Sequence, residues 1–405
     1  MKKSIDYHYL MVIIAGCGLI GVTLGLANNL AGLFFNPIAA EFNVGRGTVA
    51  LSVTIYSLTM ATVGMFSPRI VRRIGLKKVA LIGTVIMVAT TALSSTVHSI
   101  IPLLALNLLK GVAGGFVGIV TVNITINYWF HKNNSLATSI AMCFSGILGA
   151  LVSPYISSFI AAYGWRKGYL LVAAMIAVLM LPSVLFPIAL KPENVNMAPY
   201  GEDPNRTDKK ETVAEAAVIP AVLFAMMVVY ALTAPSATAL PQHFTGLADS
   251  YGIAAAGALM VSATMLTNTF GKLIFGVLSD KIGCRITSSM YTLLVAVSLI
   301  ILAFTRNQTL LLAGALLVGL SYSMGTVATS AMVREVFGTA NYSKVYPKLS
   351  FCITLSNSLF TTLVGTVYDI TGSYLIILLV LCAFALIACI VINLVYTRKA
   401  ALKKA

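Results

Sequence analysis

The chain has 405 residues, of which 59% are hydrophobic and 10% charged, with a mean hydropathy of +0.93. Soluble domains carry about 25% charged residues, so this composition excludes a water-soluble globular domain and calls for lipid as the solvent of most of its surface. The formal net charge is +15, yet the cations sort by loop and not onto one face, which excludes nucleic acid as the expected partner.

Apolar segments long enough to cross a hydrocarbon core of about 30 Å recur at 10–36, 48–67, 77–97, 101–128, 135–161, 168–189, 218–240, 254–278, 285–305, 309–333, 343–368 and 373–396. They predict an all-α integral membrane protein with twelve transmembrane helices. The first segment follows a short basic start, is too long for a signal peptide and has no small-residue cleavage site after it, so it is expected to be retained. With a cytoplasmic N-terminus, 21 of the 27 Lys and Arg fall on the cytoplasmic side, and only Arg46, Arg166, Lys167 and Arg306 on the other. The positive-inside rule then predicts a multi-pass protein of the plasma membrane with both termini cytoplasmic. Cys17, Cys143, Cys352, Cys382 and Cys389 lie within spans and Cys284 in a cytoplasmic loop, so they read as small packing residues and not as a disulfide framework.

The longest polar stretch, 191–216, holds Pro192, Pro199 and Pro204 and a charge cluster from Glu202 to Glu211. It reads as a cytoplasmic linker between six-span halves at 1–190 and 217–405. The halves repeat. Pro68-Arg-Ile-Val-Arg72-Arg73-Ile-Gly75-Leu-Lys77 follows the second span and Gly276-Val-Leu-Ser-Asp280-Lys281-Ile-Gly283-Cys-Arg285 the eighth, at an offset of 208 residues. The same offset carries Met11 to Ile219 and Ser135 to Ser343, and three landmarks sharing one offset indicate duplication.

The Gly276 to Arg285 segment resembles the loop signature of the major facilitator superfamily, Gly-x-x-x-Asp-Arg-x-Gly-x-Arg. The resemblance implies two pseudo-symmetric six-helix bundles, a loop glycine that permits a tight reversal, and gating residues at Gly276, Asp280, Lys281, Gly283 and Arg285. The first copy departs from the pattern, with Pro68 for the glycine and Arg72 for the Asp, so Arg72, Arg73 and Gly75 keep the loop but not its acid. Further segments are similar to the oxalate/formate antiporter and monocarboxylate transporter branch: Trp129-Phe130-His131-Lys132 before Leu136-Ala137, Gly149 with Pro154, Gly164-Trp165-Arg166, Gly365, Asp369-Ile-Thr371-Gly372-Ser-Tyr374, and Asn268-Thr-Phe-Gly271-Lys272-Leu-Ile-Phe-Gly276. In that branch an Arg at the place of Lys272 partners the carboxylate. Here Lys272 keeps the charge without the planar two-donor fork.

An ionisable group inside a span costs about 2.5–3.5 kcal/mol on insertion scales. Lys272, three quarters of the way down the eighth span, and Lys110, near mid-depth in the fourth, are therefore functional candidates. Asp280, Glu335 and Asp369 all lie at span ends, and two deep cations without a deep acid favour an anionic ligand. Structural readings stand beside these: Lys272 can snorkel to the interface, and Lys110 can hold helix carbonyls near Gly111, Gly114 and Gly115. Asn28, Asn29, Tyr56, Asn107, Asn123, Tyr230, Asn268, Tyr322 and Asn357 form a polar midplane set. Because the superfamily lines its substrate site with spans one, two, four and five of each half, Asn29, Tyr56, Tyr230, Asn268 and Tyr322 are the preferred contacts. His8, His98, His131 and His243 lie at or beyond span ends without a second ligand at metal spacing, so surface histidine is the expected reading and no metal is expected. No Walker loop or nucleophile elbow is present, so neither enzymatic chemistry nor a cofactor is expected.

The resulting expectation is a monomeric secondary transporter that carries a small organic anion, a monocarboxylate, held by Lys272 with help from Lys110, by alternating access, as an antiporter or in symport with protons. An exporter of drugs or apolar metabolites and a non-transporting membrane sensor are the competing readings.

Overall fold

The structure is a computed structural model that describes residues 7–44, 46–186, 188–201, 219–253 and 255–402. Residues 202–216 of the expected linker, the terminal lysines Lys2, Lys3, Lys403 and Lys404, and the side chains of Arg46, Pro154 and Asp369 lie outside the described residues. The described residues are 89% helical and form no strand.

The chain divides into two compact units, Met1–Pro204 and Asn205–Ala405, at a point inside the expected linker. In the first, α1 runs over Tyr7–Phe34, α2 over Arg46–Ile74, α3 over Leu76–Leu93, α4 over Ile100–Trp129, α5 over Asn134–Tyr163 and α6 over Trp165–Leu185. In the second, α7 covers Ala221–His243, α8 Ala255–Ile282, α9 Cys284–Phe304, α10 308–337, α11 339–371 and α12 Leu375–Leu402. Nine helical stretches among the described residues are long and apolar enough to cross a membrane. One of them, Gln308–Tyr368, bends at Gly338 and covers α10 and most of α11. The remaining expected spans, 48–67 and 135–161, fall within α2 and α5. Several helices outrun their apolar segments: α2 continues through Arg69, Arg72 and Arg73, whose charges leave the hydrocarbon while the backbone hydrogen bonds continue.

The duplication is visible in backbone geometry. Gly75 has φ 92° and ψ 147°, and Gly283, 208 residues later, has φ 88° and ψ 150°. That region is open essentially to glycine alone, so each half needs this residue to turn its second helix into its third. Gly164 and Gly372 share the same offset and also have positive φ. Of the two glycines in the second loop segment, Gly276 is buried inside α8 and Gly283 makes the reversal. Cys284, expected in a loop, is the buried first residue of α9, and all six cysteines are free.

Close approach of α4 and α2 explains the glycine run of the fourth span. A Cβ on Gly111 would lie 2.7 Å from the Tyr56 carbonyl oxygen, and one on Gly115 2.6 Å from Val63 Cβ. In lipid, where apolar side chains gain little by meeting one another, such backbone proximity is what holds helices together.

At the end of the first unit that carries its N-terminus, the segment after α6 is strapped to the α4–α5 turn. Trp129 Nε1 donates to Ala189 O at 2.9 Å, Tyr200 N to Trp129 O at 2.8 Å, and His131 N and Lys132 N both to Tyr200 O. Tyr9, Trp129, Phe130 and Tyr200 pack ring against ring around it. The Trp129 to Lys132 segment thus anchors the chain that leaves the unit.

At the opposite end, Glu41 accepts hydrogen bonds from Trp165 Nε1 and from Arg166, and Arg166 also donates to Val97 O. The Arg166 and Trp165 donors hold the Glu41 carboxyl below its ordinary range. A depressed carboxylate pKa contributes stability that is present above the unfolded value and is lost as pH falls through the folded one. In a melting-temperature series on acidification below about pH 4, the wild type is expected to lose stability more steeply than Glu41→Gln; parallel curves would show the contact to be unimportant.

Candidate functional site

Each unit contains interrupted helices at its first and fourth positions. In α1 the α-helical hydrogen bonding ends at Ile20, a π-helical stretch covers Gly21–Asn29, and a 3₁₀ turn follows over Ala31–Phe34. In α4 the helix stops at Val117 and restarts at Ile119, with Gly118 extended at ψ −157°. A Cβ at Gly118 would stand 2.5 Å from the Gly114 carbonyl oxygen. In the second unit α7 passes into a 3₁₀ segment at Ser236–His243 after Pro235, and α10 breaks after Val318 and is π-helical over Met324–Ala328. Breaks of this kind free backbone carbonyls inside an apolar medium, where each must find a donor.

The predicted tyrosines supply those donors. Tyr56 Oη donates to Thr23 O in the α1 break at 2.8 Å, and Tyr230 Oη to Met324 O in the α10 break at 2.9 Å; both rings are fully buried. Thr121 Oγ1 spans the α4 break to Phe116 O, and Thr329 Oγ1 also reaches Met324 O. Tyr322 Oη lies 3.5 Å from Thr238 O, and the exposed Asn29 reaches Ser145 O at 3.4 Å. These residues shape the interrupted helices, and a ligand that contacts Tyr56 or Tyr230 through the hydroxyl must compete with a backbone carbonyl. His243, expected at the surface, is half-buried and bonds Thr361 O at 3.0 Å.

Asn268 and Lys272 share one face of α8, one helical turn apart, and each is 2% exposed. Asn268 Nδ2 approaches only the Met265 sulfur, at 3.8 Å, and its Oδ1 has no hydrogen-bond partner. Between them Gly271 carries the α9 contact, with Tyr291 Oη donating to its carbonyl oxygen at 2.8 Å. Ser323 Oγ on α10 and Asn357 Oδ1 on α11 are likewise buried and unpartnered. The second unit therefore buries a primary amine one turn from an underused amide.

Lys110 is 4% exposed and lies in a different setting, a cavity lined wholly by the first unit. Its Nζ stands 5.7 Å from the centroid of the Tyr169 ring, itself stacked on Phe34. Ser52, Thr91, Asn107 and Tyr169 supply the polar part of the lining. Sequence reasoning named Asn107 but missed the other three; matching residues of different spans by depth against Lys110 would have found them.

The loop signature works differently in the two units. In the second, Asp280 and Glu335 both act electrostatically on Arg334, Tyr396 Oη donates to Glu335 Oε2 at 2.6 Å, Lys399 donates to the Glu335 carbonyl, and Arg285 Nε donates to Asn393 Oδ1 at 3.0 Å. Lys281 is exposed beside this cluster. In the first unit the positions 208 residues earlier hold Arg72 for Asp280, Ile126 for Arg334 and Asn127 for Glu335. Arg72 Nε donates to Pro68 O of its own helix, and Arg73 and Gly75 are exposed. Among the described residues, the charge cluster that joins helix ends at this loop is found in the second unit.

A duplicated six-helix unit with interrupted first and fourth helices and polar groups at the breaks is the architecture of a multi-pass secondary transporter. The sequence profile of the Major Facilitator Superfamily matches residues 17–260 and 221–405, and the chain belongs to that superfamily. It is 23% identical over 374 residues to the uncharacterized MFS-type transporter YcxA of Bacillus subtilis (strain 168), covering 87% of this chain and 86% of that one. Among solved structures it is similar to the human organic anion transporter MFSD10 (TETRAN), with a TM-score of 0.71 at 15% identity over 96% of this chain and 100% of that one. It is also similar to the E. coli fucose:proton symporter FucP, with a TM-score of 0.72 at 13% identity over 96% of this chain and 99% of that one.

Proposed function

We propose that this transporter carries a small organic anion, a monocarboxylate, by alternating access in the plasma membrane, with both termini cytoplasmic. The observation that carries the reading is the buried Lys272 one turn from Asn268, whose Nδ2 donors meet only the weak acceptor Met265 Sδ at 3.8 Å. A primary amine in the hydrocarbon is expensive, and an ammonium with an amide beside it is a donor set suited to a carboxylate. The oxalate/formate and monocarboxylate branch resemblance of residues 268–276 supports the same assignment. The structural neighbours comprise an organic anion transporter and a sugar symporter, so their fold does not select the substrate.

The coupling follows from the chemistry available. The carboxylates of the second unit whose side chains are described, Asp249, Asp280 and Glu335, lie at helix ends, so the substrate's own ionisation or a counter-anion carries the driving force. The test is uptake of labelled mono- and dicarboxylates by proteoliposomes holding only this protein, with and without internal counter-substrate and with a pH gradient of either sign. Saturable uptake of one acid, accelerated by counter-substrate or by a proton gradient, is the expected result. Absence of flux for every acid, alongside flux of an apolar cation or neutral drug, would replace this reading with the exporter.

A further inference from the structure

Lys110 points to a second anion site of another kind. Its cavity has a volume of about 20 Å³, above the roughly 10–15 Å³ that one water needs, so it has room for a small ligand. It is built from the end of α1, the start of α2, the end of α3 and the beginnings of α4 and α6. All of these lie at the end of the first unit opposite its N-terminus, so no residue of the second unit is needed to form it.

The polar groups in the lining are matched to a negative body. Lys110 brings three N–H donors and no acceptor. Thr91 Oγ1 is buried and has no hydrogen-bond partner, and the buried Ser52 hydroxyl faces the same cavity. Asn107 Nδ2 is engaged by Leu103 O at 2.9 Å, which leaves its second N–H. No carboxylate lines the cavity. The described carboxylates of this unit are Glu41, held by Trp165 and Arg166, and Glu193, in the segment after α6. The rest of the wall is apolar and aromatic, including Phe34 and Val172. A counter-charge stabilises a buried ammonium in such a wall, and no described carboxylate lines the cavity to provide one.

We propose that this cavity binds one halide-sized inorganic anion, chloride in the cell, held by Lys110 with the Thr91 and Ser52 hydroxyls. The ion neutralises the buried Lys110 ammonium and packs α3, α4 and α6 around it. It is a different ligand from the carboxylate assigned to Lys272, and it stands or falls independently of that assignment.

The offset of 208 residues places Val318 opposite Lys110 and Gly64 opposite Lys272. Neither lysine therefore has a duplicate. This agrees with different roles for the two lysines.

The test is thermal unfolding of the purified full-length protein in detergent at constant ionic strength, with chloride or bromide replacing gluconate, in the absence of any transported acid. The expected result for the wild type is a saturable rise in melting temperature of roughly 2–4 °C. Lys110→Met should abolish it, and Thr91→Val should move its midpoint to higher halide. Lys272→Met should retain it. The Thr91→Val arm keeps the test decisive if Lys110→Met does not fold. The site is overturned by an absence of any halide effect in the wild type, by an equal shift in both cavity variants, or by a larger shift with acetate or lactate than with chloride. The last outcome would assign the cavity to the transported acid.

Discussion

Lys272→Ala is expected to cut carboxylate uptake by about tenfold to a hundredfold, the loss that corresponds to about 1.5–3 kcal/mol for a hydrogen bond to a charged group. Lys272→Arg is expected to retain a measurable share of uptake, because the charge stays and a planar fork is added. Asn268→Leu should raise the half-saturation concentration by removing the neighbouring amide without removing the charge. Initial rates in proteoliposomes at matched protein density measure all three. If Lys272→Ala transports the acid at the wild-type rate, the lysine serves only to reach the interface, and the ammonium is not the recognition element.

The second large effect is structural. Gly18 lies where α1 crosses α6, and a Cβ there would stand 2.1 Å from the Leu179 carbonyl oxygen, a backbone atom that can move only with its helix. Gly18→Val is therefore expected to lower stability by about 1–3 kcal/mol or more, as overpacking of a close-packed interior does. The interrupted stretch that begins at Gly21 should be displaced with it. Gly32 is the internal control, since nothing lies within 4 Å of a Cβ at that position. Detergent-solubilised Gly32→Ala should elute and melt as the wild type does, whereas Gly18→Val should melt lower or aggregate. Equal behaviour of the two variants would show that α1 and α6 are not held at this distance.

Much of the architecture was legible from one-dimensional pattern. Lipid thickness sets a span length, so runs of about 20 apolar residues mark helices without any knowledge of tertiary contacts. The offset of 208 residues, first visible in the basic loops, reappears in the paired backbone angles of Gly75 and Gly283, because a conformation open only to glycine leaves its mark in the sequence. The depth of Lys110 and Lys272 was readable for the same reason, since a charge is conspicuous within an apolar run.

What a side chain does at a given depth was not readable in this way. Tyr56 and Tyr230 look like ligand contacts by position, and the structure has them donating to carbonyls that the α1 and α10 interruptions leave open. Those interruptions follow from π and 3₁₀ turns with weak local signals, and helical periodicity does not report them. Gly276 fits a loop pattern and is buried in a helix, because helix ends in a membrane protein are set by where backbone hydrogen bonds can stop and not by where apolar residues stop.

By itself, then, the amino-acid sequence determined that this is a duplicated, twelve-span membrane protein with one deep lysine in each half. Composition, span length and repeat offset are properties of the chain alone. Only the tertiary structure decided that Lys110 meets Ser52, Thr91 and Tyr169 in a cavity of the first unit while Lys272 lies beside the unsatisfied Asn268 amide in the second. Which residues of five different helices share a depth and a face depends on how those helices cross, and the crossings are set by glycine contacts such as Gly18 with Leu179 and Gly111 with Tyr56.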